Sequence, residues 1–217
     1  FKHVHTSVCA DQRRALEVSD IGNLLCETEK ASSCGSLPIE LQTTKNIFAL
    51  MFLLRGIPFV DLAYLRKADI QGNTLKYRRR KTGRLLTVML TPDAIKLIRI
   101  VAKTKPESPY LFPFLSSPEG TEAAYHEYQS SLRMFNYRLS RLKKYMKTAA
   151  HLSSYTIRHT WATMAYYCEI HPGIISEAMG HSSIKVTETY LKPFNNEKID
   201  NANSQVISYV KEYASIV

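Results

Sequence analysis

The chain has 217 residues, 45% of them apolar, enough to fill the core of one sizeable domain. Its formal net charge of +10 favours a polyanionic partner, nucleic acid first; a membrane surface would call for a basic amphipathic helix, which the sequence does not supply. No run approaches the roughly 18 apolar residues of a membrane span, and Cys9, Cys26, Cys34 and Cys168 follow neither CxxC nor disulfide-framework spacing, so they read as free thiols.

In chain order, residues 1–14 have no clear period and read as a linker tail. They begin at Phe1 with no signal-peptide pattern, from which we expect an excised piece of an intracellular protein. Residues 15–25 read as a short helix with Ser19 or Asp20 as its cap, and residues 27–37 as a polar loop. Pro38 opens a long helix to about Leu54, with Ile47, Phe48, Leu50, Met51 and Leu54 at helical spacing. Gly56 and Pro58 stop it, leaving Arg55 at its end, and residues 59–65 give another helical turn. The period then switches. TLKYRRRKTGRLLTVML, residues 74–90, reads as a β-hairpin turning at Thr82-Gly83, with Lys81 near the tip among Arg78, Arg79, Arg80 and Arg84.

Thr91-Pro92-Asp93 caps a helix to about Lys103. Residues 106–120 form a loop around an apolar patch. Residues 121–148 give a long helical run, broken once at most, that buries Leu132, Phe135, Leu139, Leu142 and Met146. Helices follow over residues 154–168 and 172–179. Gly180 breaks the second, and Ser182 or Ser183 starts a short last turn that carries Tyr190. Residues 195–217 are an amphipathic helical tail. The fold class is therefore mainly α with a small antiparallel β-hairpin or sheet, an α+β arrangement.

The chemistry is narrowed by elimination. Metal-assisted phosphoryl transfer needs a carboxylate cluster, and the basic features of this chain are poor in acids; HExxH, paired Cys/His sets and the P-loop are absent. Lys81-Thr82-Gly83 and the SxxK at Ser140 match penicillin-binding motifs, but in the wrong order and without SDN, so both read as chance. What remains is phosphoryl transfer assisted by cations, with no metal and no cofactor. Guanidinium groups can clamp non-bridging oxygens, a lysine can protonate a departing sugar oxygen, and a phenol in positive surroundings can attack phosphorus.

Four stretches carry a resemblance: LLRGIPFVDLAYL, YRRRKTG, SSYTIRHTWAT and AMGHSSIKVTETYL. In this order and spacing they resemble the catalytic domain of the tyrosine recombinases, or phage-integrase family, in the manner of integrases of conjugative transposons. The resemblance implies that family's catalytic-domain fold over residues 15–217, with residues 1–14 the end of an interdomain linker and arm- and core-binding domains lying upstream. It implies that Arg55 and Arg158 clamp a scissile phosphate, that Lys81 protonates the leaving 5′ oxygen, that His181 bonds the phosphate or assists proton transfer, and that Tyr190 is the nucleophile. Asp61 would brace the arginine region, while Arg78, Arg79, Arg80 and Arg84 would face DNA. Tyr155 stands where the family usually has histidine; it can donate a hydrogen bond but cannot become cationic near neutral pH. The implied partners are double-stranded DNA carrying recombination core sites and further copies of the chain in a tetramer, on which the tail would dock; no membrane is involved. The implied location is the bacterial cytoplasm.

Taken singly, each nominee has a bland alternative: Tyr190 as packing, His181 as a helix cap, Arg158 as an ion-pair partner, Lys81 as a solvated hairpin charge. Two other readings stay open, a non-catalytic helix-turn-helix over residues 172–190 and a type IB topoisomerase with the same chemistry.

Overall fold

The computed structural model describes residues 15–25, 37–102, 104, 106–189 and 196–214. The expected linker at residues 1–14 and most of the polar loop at residues 27–37 lie outside them. Among the described residues the order is α1 (Val18–Leu25), α2 (Ile39–Leu53), α3 (Phe59–Ala63), a 3-10 turn (Lys67–Asp69), β1 (Ile70–Gln71), β2 (Thr74–Arg78), β3 (Leu85–Met89), α4 (Pro92–Val101), α5 (Glu122–Met146), α6 (Thr156–Tyr167), α7 (Pro172–Met179), α8 (Ile184–Glu188) and α9 (Asn196–Ala214).

The molecule is built around α2. Its residues Ile47, Phe48, Ala49, Leu50 and Met51 are buried without a break, so this half of the helix is apolar on every side rather than along one stripe, as expected where a helix is enclosed by others. Helices α1, α4, α5 and α6 pack around it. Helix α5 is continuous over 25 residues, so the break allowed for in this run does not occur. Thr121 caps it through a side chain that accepts from the Ala124 N–H, and Phe135, Leu139 and Leu142 form its buried stripe.

Helix α1 starts at Val18, two residues earlier than a Ser19 cap would place it and three earlier than an Asp20 cap. Asp20 sits in the first turn, where its carboxylate accepts from the Glu17 N–H and from the Thr148 hydroxyl; it closes the helix from within rather than from the cap position.

The sheet has order β1-β2-β3, antiparallel throughout. The pairs Leu75↔Val88 and Tyr77↔Leu86 put four side chains on the inner face, and Lys76, Arg78, Leu85, Thr87 and Met89 turn outward. The two-residue strand β1 was not visible as a period, being too short to alternate. Phe59 stacks on Phe135 at 4.8 Å and meets Phe114 edge-on at 4.9 Å, which fixes α3 against α5 and the 106–120 loop. Among the described residues no helix is long and apolar enough to cross a membrane.

Because Phe135 holds α3, and α3 carries Asp61, replacing Phe135 with Ala should lower unfolding free energy by about 3–5 kcal/mol. Urea denaturation followed by far-UV circular dichroism measures this, and a change under about 1 kcal/mol would mean that the ring cluster is dispensable.

Candidate active site

The site forms where three chain reversals meet. The first is the end of α2. After Leu53 the backbone passes through two consecutive left-handed residues, Arg55 at φ 59° and Gly56 at φ 66°. A glycine adopts this conformation freely, whereas an arginine does so at a cost of order 1 kcal/mol, and such strain gathers at functional positions. Gly56 has a second reason to lack a side chain: a Cβ there would lie 3.0 Å from the Arg158 Cα and 3.2 Å from the Trp161 Cβ. Helix α6 therefore rests directly on the α2 terminus, and Arg55 and Arg158, 103 positions apart, come from adjoining backbones.

The second reversal is the end of α7. Gly180 takes φ 64° and closes the helix with Gly180 N–H to Glu177 O and His181 N–H to Ser176 O, the Schellman arrangement. A Cβ on Gly180 would meet the Arg79 Cδ at 2.8 Å and the Leu86 Cδ1 at 3.0 Å. The third reversal is the hairpin loop between β2 and β3, where the Arg79 and Gly83 N–H groups donate to Arg84 O and Arg79 O.

Arg158 lies in the first turn of α6 and is 2% exposed. Its Nη1 donates to Gly56 O at 2.9 Å; its Nη2 donates to Met179 O at 2.7 Å and to His181 Nε2 at 2.9 Å. Each of these acceptors is uncharged, so they orient the guanidinium without cancelling its charge. His181, 3% exposed, has Nδ1 2.8 Å from the Thr187 Oγ1. Burial, followed by Arg158, Arg79 and Lys81, pushes the His181 pKa down to about 3. His181 is thus neutral at physiological pH, and in this arrangement its Nε2 faces Arg158.

The hairpin is bolted onto the α7–α8 turn through three successive carbonyls. The Arg79 Nη1 donates to Met179 O at 3.3 Å, the Thr82 hydroxyl to Gly180 O at 3.1 Å and the Arg84 Nη1 to His181 O at 2.6 Å. Asp61, buried on α3, supports the loop from the other side: Oδ1 accepts the Arg80 N–H at 2.9 Å and Oδ2 lies 3.8 Å from the Arg79 Nη1. Burial raises the Asp61 pKa, against the opposing pull of the Arg80 N–H and of Arg79, Arg158 and Arg80.

The sequence-derived candidates thus fall into groups. Arg158, His181 and Asp61 are buried together, with half-buried Arg55 beside them. Arg55, Arg79 and Arg158 all act on the buried Tyr77 phenol, whose pKa burial nonetheless raises. Lys81 is exposed in the hairpin loop, close enough for its charge to bear on His181. Tyr155 is 46% exposed at the start of α6 and meets the His159 ring edge-on. Tyr190 lies outside the described residues, directly after Thr189.

Of the four arginines expected to face DNA, Arg78, Arg80 and Arg84 are exposed and Arg79 is not, at 7%. That expectation is corrected for Arg79. It follows Arg78, the last residue of β2, and the inward phase of Leu75 and Tyr77 continues through it, so its side chain enters the site as a strut. Arg80 stacks over the Tyr64 ring and pairs with Glu119, which also takes Arg66. Sequence reasoning missed Thr187, for which nothing local gave a signal, and the inward turn of Arg79, which period-2 alternation carried past Arg78 would have shown. Among the described residues no group of three or more His, Cys, Asp or Glu could hold a metal ion.

Comparison with known proteins gives the family and the fold. The profile of the phage integrase family matches residues 20–197, and the chain belongs to that family. Solved structures sharing its fold include the XerH site-specific recombinase bound to difH substrate in a pre-cleavage complex (TM-score 0.62, 15% identity, 88% of this chain and 53% of that one). Others are the Tn1549 transposon integrase in complex with transposon right end DNA (TM-score 0.60, 14% identity, 89% and 66%) and XerA recombinase (TM-score 0.57, 16% identity, 88% and 62%). The chain spans between about half and two thirds of the length of these proteins. No curated protein sequence matches it.

The His181 pKa carries a stability consequence with a definite sign. Unfolded histidine titrates near 6.5 and the folded group near 3, so between these values the unfolded chain binds a proton that the folded chain refuses. Stability is complete above about pH 6.5 and falls as pH drops towards 3, by at most about 1.4 kcal/mol per pH unit. Unfolding free energies for the wild type and His181→Gln should converge as pH falls from 6.5 to 4.5; parallel curves would show that His181 is not the buried neutral base.

Proposed function

We propose that this chain is the catalytic part of a site-specific DNA recombinase that cuts and rejoins strands through a covalent 3′-phosphotyrosyl intermediate, without metal or nucleotide cofactor. What supports the reading most is the convergence of Arg158, His181 and the hairpin on the turn at Met179, Gly180 and His181, with Arg55 at the adjoining α2 terminus. Arg158 and Arg79 are buried and held in fixed directions with Arg55 and Lys81 nearby, and preoriented cations are what best stabilise a phosphorane-like transition state.

In this reading Arg55 and Arg158 engage the non-bridging oxygens of one phosphate. The Tyr190 oxygen attacks phosphorus, a phosphorus–oxygen bond forms to tyrosine, and the bond to the 5′ oxygen breaks. Lys81 gives its proton to that departing oxygen, and the positive surroundings favour loss of the phenolic proton. The ester keeps the energy of the diester, so a second 5′ hydroxyl can reverse the step. His181 holds Arg158, and Asp61 with Arg79 holds the loop that presents Lys81. Tyr155, at the rim, would touch the phosphate by its hydroxyl at most.

Arg78, Arg80 and Arg84 would meet the DNA backbone together with the outer face of α5, where Arg133, Tyr137, Arg141, Lys144 and Tyr145 are exposed and Arg141 lies over the Tyr137 ring. The substrate would be duplex DNA carrying core sites, in the bacterial cytoplasm, with four copies assembled on two duplexes and α9 available for contact between copies. A helix-turn-helix reading fits less well, because α8 has only five residues and three carbonyls of the turn are committed to the hairpin. A topoisomerase would share the chemistry, but would act as a monomer on any supercoiled duplex.

Incubation with a nicked suicide duplex bearing the cognate core should yield a denaturation-resistant protein–DNA adduct on the Tyr190 peptide. Tyr190→Phe should lose the adduct while binding DNA normally; an adduct at wild-type yield would place the nucleophile elsewhere. Lys81→Ala should slow cleavage of an ordinary 5′ oxygen by about 100-fold or more and that of a 5′ thiol leaving group far less. Equal slowing of both would remove Lys81 from the role of acid.

A further inference from the structure

We propose that Thr187 is a positioning residue that fixes the tautomer of His181 and, through it, the plane of Arg158. The catalytic consequence rests on the function proposed above; the tautomer does not. A guanidinium nitrogen can only donate. With the Arg158 Nη2 2.9 Å from the His181 Nε2, that ring nitrogen must be the acceptor and carries no proton. A neutral imidazole has one N–H, which is then on Nδ1, and the group 2.8 Å away is the Thr187 Oγ1. The Thr187 oxygen accepts. Thr187 is wholly buried and His181 nearly so, which leaves little room for water to serve either ring nitrogen instead. The hydrogen bond made by one nitrogen sets the state of the other.

The alternatives are sterically and electrostatically poor. An Nε2–H tautomer, or an imidazolium, would point an N–H at the Arg158 N–H and leave a buried pair of donors facing each other. The relay from Thr187 to His181 to Arg158 therefore couples α8 to α6. Thr187 stands three residues before Tyr190 in the chain, so the segment that leads to the proposed nucleophile also sets the direction of the proposed phosphate clamp.

The first measurement is a long-range 1H–15N correlation on the full chain labelled in its imidazoles, with His181 assigned by its loss in His181→Gln. The expected pattern near neutral pH is a protonated Nδ1 and an unprotonated Nε2; a protonated Nε2 overturns the proposal. The second compares adduct formation with saturating suicide duplex. Thr187→Val keeps the shape and removes the acceptor, and it should slow the step about 10- to 100-fold, as loss of an orienting partner does at other functional imidazoles, with duplex affinity unchanged. Thr187→Ser restores the oxygen and should run within about 3-fold of the wild type. Valine as fast as the wild type, or serine as slow as valine, overturns it. If the valine variant does not fold, the wild-type spectrum decides alone. If the wild-type chain forms no adduct, the recombinase reading fails while the tautomer result stands.

Discussion

The constraint on which the rest depends is the burial of the Arg158 guanidinium. A charge taken out of water is expensive unless its donors are satisfied, and here the partners come from chain ends that need partners themselves. Met179 is the last residue of α7, and its carbonyl is one of the group that a helix leaves without an internal donor; Gly56 follows the end of α2. The Met179 carbonyl also lies at the negative pole of its helix. One cation thus ties α6 to the termini of two other helices. The arrangement meets two needs at once, since helix ends buried without donors would be as costly as a guanidinium buried without acceptors.

The same turn explains why a charged hairpin is ordered. Met179, Gly180 and His181, which flank and include the left-handed glycine, each present a carbonyl to the hairpin, and Arg79, Thr82 and Arg84 each donate to one of them. Glycine at 180 is required twice, by its backbone angle and by the Arg79 stem lying against it. Asp61 then fixes the hairpin to α3, and α3 is held by the Phe59 ring cluster. The aromatic core and the placement of the exposed Lys81 are therefore connected through a short chain of named contacts.

Much of this was legible in the sequence. Pro38, the Gly56-Pro58 pair, Thr91-Pro92 and Gly180 punctuate the chain where the helices begin and end, because each acts through its own backbone. The hairpin followed from alternation, and its turn from Gly83. Contacts made at long range were not legible. A run of RRRK reads as a solvated strand, and the inward turn of Arg79 emerges only when the alternation of Leu75 and Tyr77 is carried past the end of β2. Ile47 to Met51 read as one stripe because periodicity cannot show that other helices cover the opposite face. Asp20 looked like a cap because the partner that draws it into the first turn, Thr148, is 128 positions away. Among the site candidates, the motif order nominated the residues, but nothing in it spoke of Thr187, whose part depends on a ring that turns back towards it.

Charge accounting within the site narrows what it can serve. Arg158, Arg79 and Lys81 all act to keep His181 unprotonated, and Asp61, the buried carboxylate nearby, is engaged with the hairpin through the Arg80 N–H and Arg79. The acceptors described for Arg158, two carbonyls and an imidazole, bring no negative charge. A protonated His181 would add charge but forfeit its bond to Arg158, so the site keeps its geometry by keeping that ring neutral. The described cations Arg55, Arg79, Lys81 and Arg158 thus outnumber the one buried carboxylate, Asp61, and the direct acceptors of Arg158 are dipoles. An anion that reaches Arg158 meets a guanidinium already oriented and buried by the fold. That is a favourable setting for a phosphodiester, whose own charge completes the balance that the polypeptide leaves open.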